Sequence, residues 1–320
     1  MDITNLATLS VPPTKPLVIV HRNCLDGLGA AFSARTLLGD CDFFFDTYRD
    51  SHCVNDYPVM DLIHAERPVY IFDLSYPEPI LKLMYVRAKS LMLLDHHKSA
   101  MDALKHLPYC YFDITKSGAV LAWDYLAPRL PVPNILRYVQ DRDLWQNLLP
   151  RSAEISEYLM DKIDFDLPGE EQLVQFSALS AHWNFYDYAT QGATLLAYKQ
   201  KAVQKIIRNK FSLTIPILRN GEYIPLINIP AVFGPWHMRS DVGAALAALP
   251  DNSHQIGLVF TGFNRDNGLV FSARGLPDTT LALDLALKFD GGGHQTAASG
   301  HMSLASLQRY LTKNALHLKL

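Results

Sequence analysis

An aspartate and two histidines stand together at positions 95–97, directly after an apolar run of leucine and methionine at residues 91–94. The run has the composition of a buried strand, so Asp95, His96 and His97 would emerge at its carboxyl end. Open α/β sheets bind ligands at that edge. Imidazole and carboxylate groups suit a divalent metal of the Mn or Zn type. A surface loop could carry the same triplet, so the triplet alone does not establish a metal site.

Two further apolar runs end in the same kind of residue. Residues 17–20 lead into His21, with Asp26 shortly after, and residues 69–72 lead into Asp73. Short, continuously apolar runs separated by helical segments predict a parallel sheet that is buried on both faces. Because the carboxyl ends of parallel strands share one edge, we expect these polar groups to form one convergent site.

A fourth acidic segment follows the helix that is predicted at residues 134–139. Here Asp141 and Asp143 flank Arg142. Paired acids around an arginine are by themselves typical of a solvated turn. Since the segment comes in order after the three strand ends, it is a candidate fourth contributor to the same site.

In this order the four segments resemble the motifs of the DHH phosphoesterase superfamily. Residues 289–300 resemble the glycine-rich signature of its accessory DHHA1 domain, and residues 271–274 resemble the Ser-x-Arg strand end of that domain; the resemblance covers residues 16–303. It implies an α/β protein with three parts. They are a parallel-sheet DHH domain at residues 1–190, a helical linker at 191–210 and a smaller mixed α/β DHHA1 domain at 211–320.

The resemblance further implies phosphodiester hydrolysis at one or two divalent metal ions, usually Mn²⁺. The implied metal ligands are His21, Asp26, Asp73, His96 and Asp141. Asp73 would bridge the two ions. Asp95 and His97 would serve catalysis, the first by orienting a histidine and the second by facing the phosphate.

The first motif departs from the common family pattern His-x-Asp-x-Asp-Gly. Between His21 and Asp26 it has Arg22, Asn23, Cys24 and Leu25. Cys24 takes the place of the missing aspartate, and a thiolate would favour Zn²⁺ or Fe²⁺ over Mn²⁺. Three outcomes stay open: Cys24 is a ligand, Asn23 is a ligand through its amide oxygen, or the first metal site is weak. Cys24 could equally be a small residue packed behind the loop.

Composition sets the class of protein. A chain of 320 residues, of which 49% are hydrophobic, can form two domains with ordinary cores. No apolar run reaches the length of a membrane span, and residues 1–10 lack the features of a signal peptide. The four cysteines show neither disulfide nor zinc-finger spacing, which is typical of a reducing compartment. We therefore expect a cytoplasmic protein with no membrane partner.

The second half of the chain has the pattern of a small mixed α/β domain. Residues 192–210 carry apolar side chains at helical spacing and predict a connecting helix. A turn signal at residues 264–268 joins the last two of the strands that follow. The predicted strands are 211–218, 223–229, 256–263 and 269–273, and the predicted helices are 241–249 and 281–289.

Three glycines, Gly291, Gly292 and Gly293, precede His294. Consecutive glycines let the backbone approach a ligand and cradle an anion, or they form a tight turn after a helix. Arg274 offers a guanidinium fork for a phosphate. Together with His294 it favours substrate binding, which is the role that the resemblance implies for this domain.

The substrate class is less sharply indicated. The chain has a formal net charge of -3. Proteins that track long single strands instead use a positively charged groove. Short oligonucleotides, dinucleotides or nucleotides are therefore expected, as in the oligoribonuclease-like (nano-RNase) branch of the family. The alternatives are a RecJ-type single-strand exonuclease, a polyphosphate or pyrophosphate hydrolase, and a nucleotide-binding module whose metal site is impaired. Base preference, cleavage polarity and oligomeric state, a homodimer included, stay open.

Overall fold

The computed structural model describes residues 14–49, 51–219, 222–264, 268–277 and 279–311. The chain divides into two compact units, Met1–His96 with Ala100–Ala193 and Thr194–Leu320 with His97–Ser99. Each unit is built round one sheet. Residues 1–10, for which we expected no signal peptide, lie outside the described residues. The same holds for residues 265–267 of the predicted turn.

The first unit contains a five-stranded parallel sheet. Its strands are β1 Leu17–His21, β2 Asp42–Asp46, β3 Pro68–Phe72, β4 Ser90–Asp95 and β5 Cys110–Phe112. They lie in the order β2-β1-β3-β4-β5, and every neighbouring pair is parallel. The helices along this part of the chain are α1 Leu25–Leu38, α2 Glu78–Arg87, α3 Lys98–Leu104, α4 Gly118–Leu126, α5 Asn134–Asp143, α6 Ser152–Lys162 and α7 Gly169–Ala181. The predicted parallel-sheet architecture is confirmed.

Both faces of this sheet are covered. Along β1, Leu17 and Ile19 enter one hydrophobic core, whereas Val18 and Val20 enter the other, and all four side chains are fully buried. A strand that is buried on both faces must be apolar throughout. Polar side chains can therefore first appear where the strand ends.

The edge strands β2 and β5 were not predicted. β5 has three residues, and β2 begins and ends with an aspartate, so neither presents a continuous apolar run. α1, the first of the predicted helical segments, begins at Leu25. Cys24 explains this start, because its sulfur accepts a hydrogen bond from the backbone N–H of Gly27 and so caps the helix.

The predicted connecting helix is present as α8, Phe185–Ile207. It begins seven residues before the predicted residue 192 and ends three before residue 210. In the described part of the chain, no helix combines the length and the apolar character that crossing a bilayer requires.

The second unit has a mixed sheet, as predicted. Its strands are β6 Phe211–Arg219, β7 Glu222–Phe233, β8 Ile256–Phe263, β9 Leu269–Gly275, β10 Gly292–Gly293 and β11 Ala297–Met302, in the order β10-β11-β9-β8-β7-β6. The β7–β8 pair is parallel and the others are antiparallel. The helices are α9 Arg239–Ala247, α10 Leu281–Lys288 and α11 Leu304–Tyr310. β10 and β11 were missed because alanine, serine and glycine do not favour strands.

Candidate functional site

Three of the predicted metal ligands lie at the carboxyl edge of the parallel sheet. His21 is the last residue of β1, Asp73 follows β3, and His96 follows β4. The strand order reverses between β1 and β3, because β2 lies on one side of β1 and the other strands lie on the opposite side. A crevice forms at such a switch point, and it is there that open α/β sheets bind ligands.

Asp73 lies between the two histidines. Its Oδ1 is 3.2 Å from Nε2 of His96, and its Oδ2 is 3.6 Å from Nδ1 of His21. Burial alone would raise the pKa of Asp73, but the hydrogen bonds and charges of both histidines hold this pKa well below its ordinary value. The backbone φ of Asp73 is 57°, in the left-handed region that aspartate tolerates better than most residues. Gly118 permits this arrangement, because a Cβ there would lie 2.4 Å from the Cβ of Asp73.

Asp26 lies in the first turn of α1 and contacts the start of α4. Its Oδ2 accepts a hydrogen bond from Gly118 N at 2.6 Å, and its Oδ1 accepts one from Ala119 N at 3.0 Å. A helix N-terminus stabilises a carboxylate in this way. Oδ2 of Asp26 is also 3.5 Å from Nε2 of His96. Burial, followed by the charges of Asp73 and Asp143, nevertheless raises the pKa of Asp26 well above its ordinary value.

Asp95 fixes the end of β4. It is fully buried, its Oδ2 accepts a hydrogen bond from Ser75 Oγ at 2.6 Å, and its Oδ1 accepts one from His96 N at 2.7 Å. The carboxylate thus positions His96 through the backbone amide. His97 follows in the chain and is half-buried. Its contact with a phosphate stays a prediction.

The fourth segment contributes Asp143 and not Asp141. Asp141 is buried, and its carboxylate accepts hydrogen bonds from Leu148 N at 2.9 Å and Leu149 N at 3.3 Å, so it holds the loop after α5. Oδ2 of Asp143 is 3.5 Å from Nε2 of His96. Residues two apart on a helix point about 200° apart, so only one of the two acids can face the site. Asp143, and not the expected Asp141, is thus the acid that lies beside His96.

Cys24 belongs to the group at the end of β1. Its sulfur is 3.4 Å from Nδ1 of His21 and 3.4 Å from Oδ2 of Asp73. Burial and the neighbouring charge of Asp73 raise the pKa of the thiol well above its ordinary value. Asn23 faces elsewhere, since its Oδ1 accepts a hydrogen bond from Nε2 of Gln172. Of the two candidate ligand atoms in this motif, the geometry favours the sulfur of Cys24 over the amide oxygen of Asn23.

The donor atoms fit one or two divalent ions. Among the described residues, three groups bring donor atoms within 4.8 Å of one another: His21, Cys24 and Asp73; Asp26, His96 and Asp143; and Asp73, Asp95, His96 and His97. A transition metal lies about 2.0–2.2 Å from such donors, so two ligands of one ion are roughly 3–3.5 Å apart. The observed separations of 3.2–3.6 Å agree with this spacing.

Electrostatics also favour a cation here. Burial by itself would lower the pKa of His96, but its hydrogen bond to Asp73 and the charges of Asp143, Asp26 and Asp73 raise this pKa to about 10. A proton on His96 therefore compensates the charge of these acids, and a bound metal ion would take over that role from the proton. Metal binding at such a group is coupled to proton release.

In the second unit, Arg274 is held near the end of β9. Its Nη1 donates to Ser272 Oγ at 2.8 Å and to the carbonyl oxygen of Ala273 at 3.0 Å, and its Nη2 donates to Ser240 Oγ at 2.9 Å. All three acceptors are neutral. The guanidinium charge is thus positioned by the chain without being neutralised by these bonds.

The glycine run packs against β11. A Cβ at Gly291 would lie 1.9 Å from the carbonyl oxygen of Ser299, and one at Gly293 would lie 2.6 Å from that of Ala297. The amide of Gly291 donates to the carbonyl of Ala286. Backbone packing therefore explains two of the three glycines, and an anion cradle built on the Gly291 amide is not supported.

Gly292 differs from the other two glycines, because a Cβ there would meet no atom within 4 Å. His294 is half-buried, and its amide donates to the carbonyl of Ala297 at 2.8 Å. Within residues 291–294, the side chain of His294 and the open space at Gly292 remain as candidates for substrate contact.

Comparisons with known proteins identify the fold. No family model matches the chain. An uncharacterized protein of Acanthamoeba polyphaga mimivirus is 27% identical over 322 residues, which cover 93% of this chain and 72% of that protein. A pGpG-specific phosphodiesterase from Vibrio cholerae superposes with a TM-score of 0.50 at 15% identity, covering 92% of this chain and 96% of that one. RecJ from Thermus thermophilus, solved in complex with Mn²⁺, superposes with a TM-score of 0.52 at 14% identity, covering 91% of this chain and 50% of that one.

The chain shares the fold of these two solved proteins, both of which are members of the DHH phosphoesterase superfamily. The resemblance that the motifs suggested is thereby confirmed at the level of the fold. The parallel sheet of this fold places His21, Asp73 and His96 at three strand ends. The deviating first motif leaves that placement intact, since Cys24 lies between His21 and Asp73.

The two acids of the fourth segment make a matched test. We expect Asp143→Asn to lower the metal content of the purified protein while changing its melting temperature little, because Asp143 lies beside His96. Asp141→Asn should retain metal and lower stability by about 1–3 kcal/mol, because a buried loop amide loses its acceptor. Elemental analysis and thermal unfolding measure both effects. Loss of metal from Asp141→Asn alone would return the ligand role to Asp141.

Cys24 can be tested apart from its capping role. If the sulfur is a ligand, Cys24→Ala and Cys24→Ser should both lower metal occupancy, although serine keeps the helix cap and its roughly 1 kcal/mol of stability. Cys24→Asp should keep or improve hydrolysis with Mn²⁺, because it restores an oxygen donor. Metal stoichiometry and dinucleotide hydrolysis are measured together. Unchanged metal content in Cys24→Ala would remove Cys24 from the site.

Proposed function

We propose that the protein is a metal-dependent phosphodiesterase that hydrolyses short oligonucleotides or dinucleotides. One observation carries this proposal: Asp73 lies 3.2 Å from His96 and 3.6 Å from His21, buried at the ligand-binding edge of the sheet. The DHH fold shared with a phosphodiesterase and with RecJ supports the same reaction class.

Two groups of residues would hold the metal. His21, Cys24 and Asp73 would bind one ion, and Asp26, His96 and Asp143 would bind the other, with Asp73 adjacent to both groups. A bound divalent cation lowers the pKa of water towards neutrality and neutralises charge that develops on phosphate oxygens. We propose Mn²⁺ as the preferred ion, with Fe²⁺ or Zn²⁺ favoured if Cys24 is a ligand.

The other side chains position these groups or bind the substrate. Asp95 keeps the backbone of His96 in place through the amide hydrogen bond. His97 would contact the phosphate that is attacked. In the second unit, Arg274 and His294 would bind a part of the substrate that does not react, with Gly292 leaving room for it.

Short substrates are favoured over long strands. The formal charge of -3 provides no general attraction for a polyanion. The chain spans 96% of the Vibrio phosphodiesterase, whose name specifies the dinucleotide pGpG, but only half of RecJ. A dinucleotide-sized substrate is thus better supported than RecJ-type exonuclease activity.

Metal add-back distinguishes the candidate functions. Metal-stripped protein is incubated with 5′-labelled dinucleotides, long single strands or polyphosphate, and Mn²⁺, Fe²⁺, Zn²⁺ or Mg²⁺ is added separately. We expect hydrolysis of dinucleotides with Mn²⁺. Undiminished activity on long strands would instead indicate a RecJ-type exonuclease, and polyphosphate cleavage would indicate a phosphoanhydride hydrolase. Binding of dinucleotide without turnover under every metal would indicate a nucleotide-binding module.

Asp73→Asn serves as the inactive variant in that assay, because asparagine tolerates the positive φ of this position. It should reduce turnover at least about 100-fold while leaving the fold intact. The matched control is Asp113→Asn, which changes an acid that follows β5 and accepts hydrogen bonds from Thr115. Activity retained by Asp73→Asn, or lost equally by Asp113→Asn, would contradict the metal assignment.

Substrate binding by the second unit is tested with Arg274→Ala and His294→Ala. Both variants should lower kcat/KM while metal content stays unchanged, because neither residue belongs to the metal-binding groups. We expect the larger effect in KM if Arg274 anchors a phosphate that does not react. Arg309→Ala, an exposed arginine of α11, is the control. A fall in metal content in either variant would contradict this division of roles.

A further inference from the structure

A tryptophan and two arginines lie together in the second unit, and we call them the Trp–Arg surface: Trp236, Arg239 and Arg274. The guanidinium carbon of Arg239 is 3.6 Å from the centroid of the Trp236 ring, and its Nη1 donates to the carbonyl oxygen of Trp236 at 3.0 Å. Arg274 donates to Ser240, the residue after Arg239, at 2.9 Å. The three side chains therefore form one patch.

The patch carries two guanidinium groups and no direct ion pair among the described residues. Among the described residues, neither Arg239 nor Arg274 forms an ion pair, and the nearby Asp241 pairs with Lys199 at 2.8 Å. Burial, with the charge of Arg239 as the second cause, lowers the pKa of Arg274 to about 10. Burial also lowers the pKa of Arg239. The charge of Asp241 offsets only part of this effect at Arg274, so a bound anion would stabilise the two partly buried guanidinium groups.

Arg274 is held in place and keeps donors in reserve. A Cβ at Gly243 would lie 2.7 Å from Cγ of Arg274, so the aliphatic part of this side chain packs on α9 where that helix has no side chain. A guanidinium has five N–H donors. The described residues accept three hydrogen bonds from it, which leaves two for a ligand.

Trp236 adds an aromatic face. The residue is 55% exposed, although the Arg239 guanidinium covers one side of its ring. An exposed indole is unremarkable by itself. Beside two arginines, however, it has the composition that binds nucleotides by base stacking together with phosphate contacts.

We propose that the Trp–Arg surface is a nucleotide subsite, in which a nucleobase stacks on the exposed part of Trp236 and the phosphate of the same nucleotide binds Arg239 and Arg274. The proposal deepens the proposed function and depends on it for the reaction. It makes the base a determinant of substrate choice, because a phosphate compound without a base would use the arginines alone.

Binding of simple probes to the full-length protein tests the subsite. AMP, ribose 5-phosphate and inorganic phosphate are titrated by calorimetry. None of the three contains a phosphodiester bond, so binding is measured without turnover. We expect AMP to bind about tenfold more tightly than ribose 5-phosphate, as base stacking requires. Equal affinities of AMP and ribose 5-phosphate would overturn the proposal.

Paired variants separate the stacking from the phosphate contact. Trp236→Ala should bring AMP to the affinity of ribose 5-phosphate, whereas Trp236→Phe should keep most of the difference. Arg239→Gln should weaken both ligands about tenfold, because each loses a charged hydrogen-bond donor. The controls, which should change neither affinity, are Tyr223→Ala for an exposed aromatic of the same unit and Arg309→Gln for an exposed arginine. An AMP preference that survives in Trp236→Ala would sink the stacking role.

Two outcomes distinguish this inference from the proposed function. If AMP affinity depends on Trp236 but no metal supports dinucleotide hydrolysis, the subsite stands and the proposed reaction is wrong. If dinucleotides are hydrolysed and Trp236→Ala changes neither AMP affinity nor kcat/KM, the reaction stands and the subsite is wrong. Asp73→Asn should bind AMP as the unmodified protein does, which shows that the metal ligands are not the source of the signal.

Discussion

Buried negative charge is the constraint on which the first unit depends. Asp26 and Asp73 lose their water on folding, and within the described ranges their ion-pair partners are histidines, not lysine or arginine. Two amides of α4 stabilise Asp26, but backbone dipoles do not replace a full opposite charge. A cation at this corner satisfies the constraint. A proton on His96, whose pKa is raised to about 10, compensates part of this negative charge.

The placement of His21, Asp73 and His96 could be predicted because a strand that is buried on both faces appears in the sequence as a continuous apolar run. The runs that became β1, β3 and β4 are apolar throughout, so the first polar residue after each run marks the strand end. The choice between Asp141 and Asp143 could not be predicted. Both stand on α5, and which of them faces His96 depends on the way that helix packs in the folded unit.

The second unit was harder to predict, because its site residues depend on packing between elements far apart in the chain. The sequence left the glycine run as either an anion cradle or a turn, and it is the backbone of β11 that requires Gly291 and Gly293. No motif in the sequence marks Trp236 or Arg239. They come to Arg274 because α9 packs on β9 at Gly243, a contact that no local pattern indicates.

The hydrogen bond from Gly118 to Asp26 joins positions 92 residues apart. Closing so long a loop reduces chain entropy before any contact compensates for it, so such contacts form late in folding. A nascent chain that has exposed only the first strand and helix therefore has ligands but no binding corner. A metal ion that binds this corner would favour the folded molecules by mass action. Molecules that have not closed this contact would lack the complete corner, whatever the supply of metal.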